Sequence, residues 1–187
     1  MDRNSIITVP NKMLRQRSQR IGLIDDEILS LAQDMITAMS DWEDHRKHEL
    51  AVALAAPQVA KLERLIVVRS NFEDKSDRHF EAFINPEIVK REGEITEEAE
   101  GCLSVTDIYG LVPRHDKIKV KALTLEGKAV RLTLTGFIAR IFQHEVDHLQ
   151  GKLFIDVVKG DNFLKLSDKG EFVSLPRKDY GKYHLVS

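Results

Sequence analysis

The sequence predicts a single domain of the α+β class, because strand patterns and helix patterns occupy separate stretches of the chain. Apolar residues alternate with polar ones over 117–122 and again over 130–134, with a turn at 126–128 between the two stretches. A helix that begins near Gly136 is predicted directly after this strand pair, and its apolar residues Phe137, Ile138 and Ile141 are expected to pin it against a sheet. At 187 residues, of which 42% are hydrophobic, the chain is long enough for one well-buried core and short for two.

Further elements are predicted upstream of the strand pair. Apolar residues recur at helical spacing from 28 to 39, and an aspartate at 25 or 26 can cap this helix. The charged run 41–49 that follows is expected to be a solvated loop or helix end. Residues 65–68 form a short apolar run that predicts a buried strand, and Asn85-Pro86 should introduce a bend between two extended pieces.

The C-terminal part of the chain has weaker patterns. After Gly151 the periodicity fades, although 172–175 is expected to form a last strand. Residues 176–187 lack a clear pattern and are expected to be loosely ordered. We find no internal repeat and no low-complexity segment that would suggest a second domain.

Composition excludes several classes of function. A formal net charge of −2, with acidic and basic residues interspersed, predicts no general affinity for nucleic acid or anionic membranes. No apolar run approaches the roughly 20 residues that span a bilayer, and the first residues do not resemble a signal peptide. The only cysteine is Cys102, so no intramolecular disulfide can form. These features favour a protein of the reducing cytoplasm.

The most informative stretch is His-Glu-Val-Asp-His at 144–148. On a helix, residues four apart lie on one face, so His144 and His148 can point toward a shared divalent metal ion. The carboxylate of Glu145 can then act as the general base for a water bound at that metal. The alternative is an amphipathic helix whose histidines are merely exposed or buried in the core.

A third metal ligand is needed, because hydrolytic sites usually have three protein ligands and one water. Helical HExxH proteases take the third ligand from further along the chain. One class uses a histidine six residues after the second one, but that position is Phe154 here. A second class uses a glutamate, but the candidate Glu171 lies in a segment without a helical pattern. Cys102 is the better candidate, since a thiolate binds zinc or ferrous iron strongly, although a lone cysteine is often only a small buried hydrophobe. His45 and His48 are expected to be exposed and not ligands.

Three motifs, in order along the chain, resemble those of the peptide deformylases. The sequence EGCLS stands intact at 100–104, and QHExDHLxG stands intact at 143–151. The first motif along the chain, usually GxGLAAPQ, occurs at 51–58 with alanine in place of both glycines. The resemblance covers most of residues 5–156 and implies antiparallel β-sheets packed around a central, metal-binding HExxH helix.

The resemblance also implies a domain and an activity. Residues 1–187 would form one catalytic domain, with a core at about 5–156 and a C-terminal tail at about 157–187. Its reaction would be the metal-dependent removal of the formyl group from the N-formylmethionine of newly made polypeptides. The partner would be the nascent chain, met at the ribosome by a cytoplasmic monomer without direct contact to nucleic acid or membrane.

Roles for individual residues follow from the same resemblance. Cys102, His144 and His148 would bind one divalent ion, with Fe²⁺ the first choice and Ni²⁺, Co²⁺ or Zn²⁺ able to replace it. Glu145 would move the proton, and the oxyanion would be faced by two further groups, the Gln58 side-chain amide and the Leu103 backbone N–H. The residues expected to bind the substrate are Val52, Ala53 and Gly101. Asp147 is expected to be structural, with Arg114 or another cation as its partner.

Departures from the family pattern keep two alternatives open. Ala51 and Ala53 replace the glycines of the first motif, Thr106-Asp107 replaces a common Pro-Gly pair, and Glu98 stands where relatives place an apolar residue near the methionine pocket. The first alternative is a deformylase-like metallohydrolase with weak activity or with a different N-acyl or formamide substrate. The second is a non-catalytic metal-binding or ribosome-associated module.

Overall fold

A computed structural model of the protein describes residues 1–46, 49–167 and 170–185. Within these ranges the chain forms two α-helices and seven strands. The helices are α1 (Asp26–Asp44) and α2 (Gly136–His148), and the strands are β1 (Ala53–Ala55), β2 (Leu65–Arg69), β3 (Phe80–Cys102), β4 (Val105–Leu123), β5 (Ala129–Thr135), β6 (Phe163–Leu166) and β7 (Phe172–Ser174). No helix of the described chain is both long enough and apolar enough to cross a membrane.

All pairings between these strands are antiparallel, and they join the strands into one sheet in the order β1-β2-β3-β4-β6-β7. The long strand β4 pairs with β3 on one side. On its other side it pairs with β6 at 108–110 and with β5 at 117–123. β1 therefore lies at an edge of the sheet. The predicted α+β class and the predicted strand pair at 117–122 and 130–134 are both confirmed.

Helix α2 lies at the centre of the domain, as predicted. It contacts β1, β3, β4 and β5, and its residues from Ala139 to Val146 are all buried. Phe142 packs against Phe83 of β3 with ring centroids 5.0 Å apart. A helix that is covered on nearly every side can hold its side chains in fixed positions, because close packing leaves few alternative rotamers.

One residue predicted to pin α2 against the sheet does not do so. Phe137 is 51% exposed, because it lies in the first turn of the helix, before the buried part begins. Its ring makes an edge contact with Phe72, at 5.3 Å between centroids. The buried side chain of Ile141, one turn further along, does pack against the core as predicted.

Helix α1 extends beyond its predicted end near Met39 to Asp44. Asp25 caps its start by accepting a hydrogen bond from the Ile28 N–H, as predicted. The extension follows from Glu43, which is not solvated but forms a fully buried ion pair with Arg69 at 2.6 Å. Residues 41–44 are therefore helical, and only the later part of the charged run leaves the helix.

Asn85 and Pro86 do not separate two strands, since β3 continues through them with a shift in its register with β4. Asn85 takes a left-handed conformation, with φ of 51°, which asparagine tolerates better than most residues. Its buried side chain hydrogen-bonds both the N–H and the carbonyl of Ile21, at 2.9 and 2.8 Å. The predicted bend is a bulge within one strand.

The expectation of a loosely ordered C-terminus is wrong for residues 176–185. β6 and β7 extend the sheet, which confirms the strand predicted at 172–175, and residues Arg177–Tyr183 form a 3₁₀ helix. Tyr180 and Leu185 are buried in a cluster that includes Leu14. The apolar residues of this segment contact distant parts of the chain without a regular spacing, so their burial could not be inferred from a pattern.

The buried ion pair gives a first prediction. Arg69→Met should lower the free energy of unfolding by about 3–5 kcal/mol, because it leaves the Glu43 carboxylate buried without its cation. Urea denaturation measures this change. The control is Arg131→Met, which removes an exposed arginine of β5 and should change stability by less than about 0.5 kcal/mol. Equal effects of the two variants would contradict the prediction.

Candidate metal centre

The three predicted metal ligands lie together. One ligand atom from each of Cys102, His144 and His148 falls within 4.8 Å of the others, and the Cys102 Sγ is 3.2 Å from the His148 Nε2. Cys102 is the last residue of β3, and both histidines project from α2. The other candidates are not part of this group. Glu171 lies in the turn between β6 and β7 and His45 is 51% exposed, while His48 falls outside the described residues.

The chemistry of these side chains fits a divalent metal ion. A thiolate with two imidazoles is a donor set typical of zinc or ferrous iron, and three protein ligands leave a position open for catalysis. His144 Nδ1 is hydrogen-bonded to a carboxylate oxygen of Glu100 at 3.0 Å, so its Nε2 is left as the ligating nitrogen. The site therefore has both the ligands and the orienting partner that a metal centre requires.

Glu100 is the centre of a buried network. Its oxygens accept hydrogen bonds from Arg114 Nε and Nη2 at 3.0 Å each, from Arg140 Nη1 at 2.9 Å and from His144. Burial alone would raise the pKa of Glu100, but the hydrogen bonds from His144 and Arg114 lower it to about 2. The carboxylate is thus ionised at neutral pH. The sequence marked Glu100 only as part of a motif, and gave no sign of its link to Arg140.

Asp147 takes part in the same network, on the side of α2 away from the ligands. Its Oδ2 accepts a hydrogen bond from Arg114 Nη1 at 2.5 Å. Of the cations considered as partners of Asp147, Arg114 is the one that contacts it. Arg114 therefore bridges Asp147 of the helix and Glu100 of the sheet.

Glu145 has the properties of a group that exchanges protons. Its side chain is buried at the wall of a cavity, and no described residue hydrogen-bonds its Oε2. Burial raises the pKa of this carboxyl to about 7. A carboxyl with a pKa near neutrality can both accept and release a proton at physiological pH.

Gln58 and Leu103 flank Cys102. The Gln58 Oε1 accepts a hydrogen bond from the Ala55 N–H at 2.8 Å, which turns its Nε2 toward the Cys102 Sγ at 3.4 Å and the Ser104 Oγ at 3.1 Å. Leu103 lies in the two-residue turn between β3 and β4, and no acceptor for its backbone N–H is found in the described chain. Both residues line the cavity that Glu145 faces.

This cavity has a volume of about 640 Å³ and also contains the three residues predicted to bind substrate, Val52, Ala53 and Gly101. Neither alanine of the first motif has a positive φ, so both adopt their conformations without backbone strain. Ala51 lies behind the cavity wall, where its N–H donates to Glu43 Oε2 at 3.1 Å. Only the methyl of Ala53 can affect a bound substrate directly.

Gly101 is required by a neighbouring side chain. The ring of Tyr109 lies against it, and a Cβ at Gly101 would stand 2.6 Å from the Tyr109 Cε1. The family resemblance placed this glycine among the residues expected to bind the substrate. The structure gives a further reason, because the missing side chain makes room for an aromatic ring beside Cys102.

Charged residues cross the mouth of the cavity. Arg46 Nη1 donates to Glu49 Oε1 at 2.9 Å and to Asp107 Oδ1 at 2.8 Å, and the Tyr109 hydroxyl donates to Glu49 Oε2 at 3.1 Å. Burial and the nearby Glu49 raise the pKa of Tyr109 to about 12. Asp107 takes a left-handed conformation, with φ of 61°, at the position where the family pattern is expected to have glycine. Sequence reasoning missed all of these contacts.

Glu98, expected near a methionine pocket, lies outside the cavity wall. Its side chain is 57% exposed and pairs with Arg140 Nε at 3.3 Å. Arg140 itself lines the cavity, and its Nη groups are bound to Glu100 and to the backbone carbonyls of Val112 and Thr96. The charge of Glu98 is therefore held away from the cavity interior by an arginine that is already fixed.

The fold and the site together define a class, that of metal-dependent hydrolases with an HExxH helix and a strand-borne cysteine. The polypeptide deformylase family matches this chain over residues 3–163. Because that match covers most of the chain, the protein belongs to the polypeptide deformylase family.

Individual relatives agree with this assignment. The peptide deformylase of Thermomicrobium roseum is 40% identical over 164 residues, which are 86% of this chain and 89% of the relative. Peptide deformylase 2 of a Nostoc species is 42% identical over 161 residues, 83% of this chain and 86% of the relative. The crystal structure of a peptide deformylase from Synechococcus elongatus in complex with actinonin is similar with a TM-score of 0.75 and 34% identity, covering 83% of this chain and 80% of that one.

The ligand group gives a second prediction. Cys102→Ser should lose most of the bound metal, because a hydroxyl is a much weaker ligand than a thiolate for zinc or ferrous iron. The ratio of metal to protein after anaerobic purification measures this loss. His45→Ala removes an exposed histidine and should keep full metal content. If the serine variant retained full stoichiometry and affinity, Cys102 would not be a ligand.

The Glu100 network gives a third prediction. Glu100→Gln should weaken metal binding by about 10- to 100-fold. The reason is that a neutral amide replaces the ionised carboxylate that accepts the hydrogen bond of the His144 ring. Competition with a chelator measures the affinity, and the unfolding transition of the metal-free protein is followed in parallel. Glu97→Gln, at an exposed position of the same strand, is the control. Unchanged affinity in a folded Glu100→Gln protein would exclude the orienting role.

Proposed function

We propose that this protein is a peptide deformylase that hydrolyses the formyl group from the N-formylmethionine of newly made polypeptides. The observation that carries the proposal is the position of the buried, unpartnered Glu145 carboxyl beside the Cys102, His144 and His148 group, at the wall of a cavity. Membership of the polypeptide deformylase family supports the same activity. The reaction is an amide hydrolysis that releases formate and a free methionine amine.

Cys102, His144 and His148 would hold one divalent ion, and we propose Fe²⁺, with Ni²⁺, Co²⁺ or Zn²⁺ as possible replacements. An ion bound there lowers the pKa of water and polarises the formyl carbonyl. The thiolate favours soft or borderline metals over Mg²⁺ or Ca²⁺, which prefer oxygen ligands. Metal analysis of anaerobically purified protein identifies the ion.

Glu145 is assigned both proton transfers. Its carboxylate accepts the proton of the attacking water and then delivers that proton to the leaving amine. The raised pKa of the Glu145 carboxyl suits this double role, because the group can hold the proton between the two steps without becoming a poor donor. One carboxyl therefore serves as base and then as acid.

Gln58 and Leu103 are assigned the stabilisation of the developing oxyanion. The Gln58 amide is oriented by the Ala55 N–H before any substrate binds, so little reorganisation is needed during the reaction. The Leu103 N–H is held in a tight turn next to Cys102, which also keeps it in place. Loss of one such donor typically slows catalysis by about 10²- to 10³-fold.

Val52, Ala53 and Gly101 are assigned to the binding of the substrate chain. Ala53 begins β1, an edge strand that pairs only with β2 among the described strands. An extended peptide can add to such a free edge through backbone hydrogen bonds. Backbone contacts do not depend on the side chains that follow methionine, which suits an enzyme that must process many different polypeptides.

The setting of the reaction is also proposed. Residues 1–187 would act as one catalytic domain, and the tail at about 157–187 would be part of it because β6 and β7 extend the sheet. We expect a cytoplasmic monomer that meets nascent chains at the ribosome. With a net charge of −2, steady binding to RNA is not expected.

A deformylase-like hydrolase with another N-acyl or formamide substrate is the second candidate. The Ala53 methyl in the cavity wall favours it, because it narrows the space beside the substrate strand. A panel of formyl-Met, acetyl-Met and other formylated peptides distinguishes the two, with formate or acetate release as the measurement. Formate release from formyl-Met-Ala-Ser by metal-loaded protein, well above release from the other peptides, supports the main proposal.

The fourth prediction separates chemistry from metal binding. Glu145→Gln should lower formate release by at least about 10²- to 10⁴-fold, because the proton carrier is gone, while the three metal ligands remain. The helix should persist, since glutamine is a good helix former. Glu94→Gln, an exposed change on β3, should leave the rate unchanged. A metal-loaded Glu145→Gln protein within a few-fold of the parent rate would refute the mechanism.

A further inference from the structure

The C-terminal hairpin supplies part of the cavity wall. Leu166 of β6 and Phe172 of β7 both line the cavity that Cys102, His144 and Glu145 also line. The stretch that matches the deformylase family ends at residue 163, so both side chains lie beyond it. Leu166 is 39% exposed and Phe172 is 51% exposed. Two large apolar side chains of this chain's own C-terminal region are thus open to whatever enters the cavity.

A continuous series of contacts links this hairpin to the ligand group. β6 pairs with β4 at 108–110, which sets the hairpin beside Tyr109. The Phe172 ring packs edge-on against the Tyr109 ring, with centroids 5.0 Å apart. The Tyr109 ring in turn covers Gly101, the residue before Cys102. The hairpin is therefore held in place by the sheet and by an aromatic contact.

We propose that Leu166 and Phe172 form a specificity wall, which binds an apolar side chain at one of the two residues that follow formylmethionine. The inference rests on the proposed function and names a preference within it. When the formyl group of a substrate lies at the metal ligands, the rest of the peptide must extend toward the cavity mouth. An extended peptide advances about 3.3 Å per residue, and in this proposal its second and third residues lie at the rings of Tyr109 and Phe172, which both line the cavity.

The chemistry of the mouth favours an apolar side chain over a charged one. The charged groups of Arg46, Glu49 and Asp107 bond to one another beside Tyr109 and are already partnered. The specificity wall, by contrast, presents apolar surface that gains by being covered. A leucine side chain that lies against the specificity wall removes apolar area of both the wall and the substrate from water.

The test compares three peptides with metal-loaded, full-length protein. They are formyl-Met-Ala-Ser, formyl-Met-Leu-Ser and formyl-Met-Ala-Leu, and kcat/KM is measured for each from formate release. Leucine at one of the two positions should raise kcat/KM about fivefold or more over formyl-Met-Ala-Ser, as partial burial of such a side chain predicts. Equal values for the three peptides would overturn the proposal.

Variants assign the preference to the hairpin. Phe172→Ser should remove the gain from leucine, and Leu166→Ser, on the other strand of the hairpin, should reduce it. The matched control is Val173→Ser, at the next residue of β7, which is exposed but does not line the cavity. It should keep the preference. A Phe172→Ser variant that slowed all three peptides equally, or a control with the same effect, would show that no specificity wall exists.

A binding measurement separates this inference from the proposed function. Kd values of the three peptides for metal-loaded Glu145→Gln protein should show the same order, because binding does not need the proton carrier. If the parent releases no formate from any peptide, the proposed function fails, and the Kd values still decide the specificity wall. Equal Kd values in a protein that does hydrolyse formyl-Met-Ala-Ser would overturn the specificity wall alone.

Discussion

The arrangement of the residues at the candidate metal centre depends on the hydrogen bonds to the buried carboxylate of Glu100. It lies two residues before Cys102 on β3 and accepts hydrogen bonds from His144 of α2 and from two arginines. Burying a carboxylate costs several kcal/mol unless it is well paired, and here cationic and polar donors offset that cost. The same bonds fix how the strand sits on the helix. Cys102 lies on the strand and the two histidines lie on the helix. The spacing between them therefore depends on how Glu100 joins the strand to the helix.

The surrounding structure removes the remaining freedom from the ligands. α2 is buried over most of its length, so the positions of His144 and His148 are set by packing in the core. Cys102 ends a 23-residue strand whose pairing with β4 continues up to the turn at 103–104. Metal binding needs ligand atoms placed to within a fraction of an ångström, and a strand end and a buried helix are rigid enough to provide that. The candidate metal ligands therefore lie in closely packed parts of the fold.

The sequence predicted the parts of this arrangement that leave a local pattern. Alternation identified the β4–β5 pair, helical spacing identified both α-helices, and three motifs indicated Cys102 and the two histidines as ligands. Contacts between residues distant in the chain leave no such pattern. Nothing near Glu43 in the sequence points to Arg69, and nothing near Gly101 shows that the Tyr109 ring occupies the space beside it. The C-terminal segment was misjudged for the same reason, because its apolar residues pack singly against remote partners.

Ala51 and Ala53, at positions where the motif leads us to expect glycine, show how a motif and a fold constrain a position differently. A glycine is needed only where the backbone has a positive φ or where a side chain would collide, and neither applies to the backbone at Ala51 and Ala53. Gly101 meets the second condition, since a methyl there would meet the Tyr109 ring. The fold therefore accepts alanine at positions 51 and 53, whereas a side chain at Gly101 would collide with a neighbour. The Ala53 methyl affects the shape of the cavity, and it leaves the metal ligands and Glu145 as they are.

The same reasoning separates catalysis from specificity in this molecule. His144, His148 and Glu145 are buried within the helix α2, and Cys102 is partly buried beside them, so a substitution at one of these positions disturbs the packed core. The mouth includes exposed side chains of the C-terminal hairpin and of Asp107, where a substitution disturbs little else. Regions that tolerate change at low cost in stability are the ones through which substrate preference can vary. A hairpin beyond the part shared with the family, placed against the shared metal centre, is such a region.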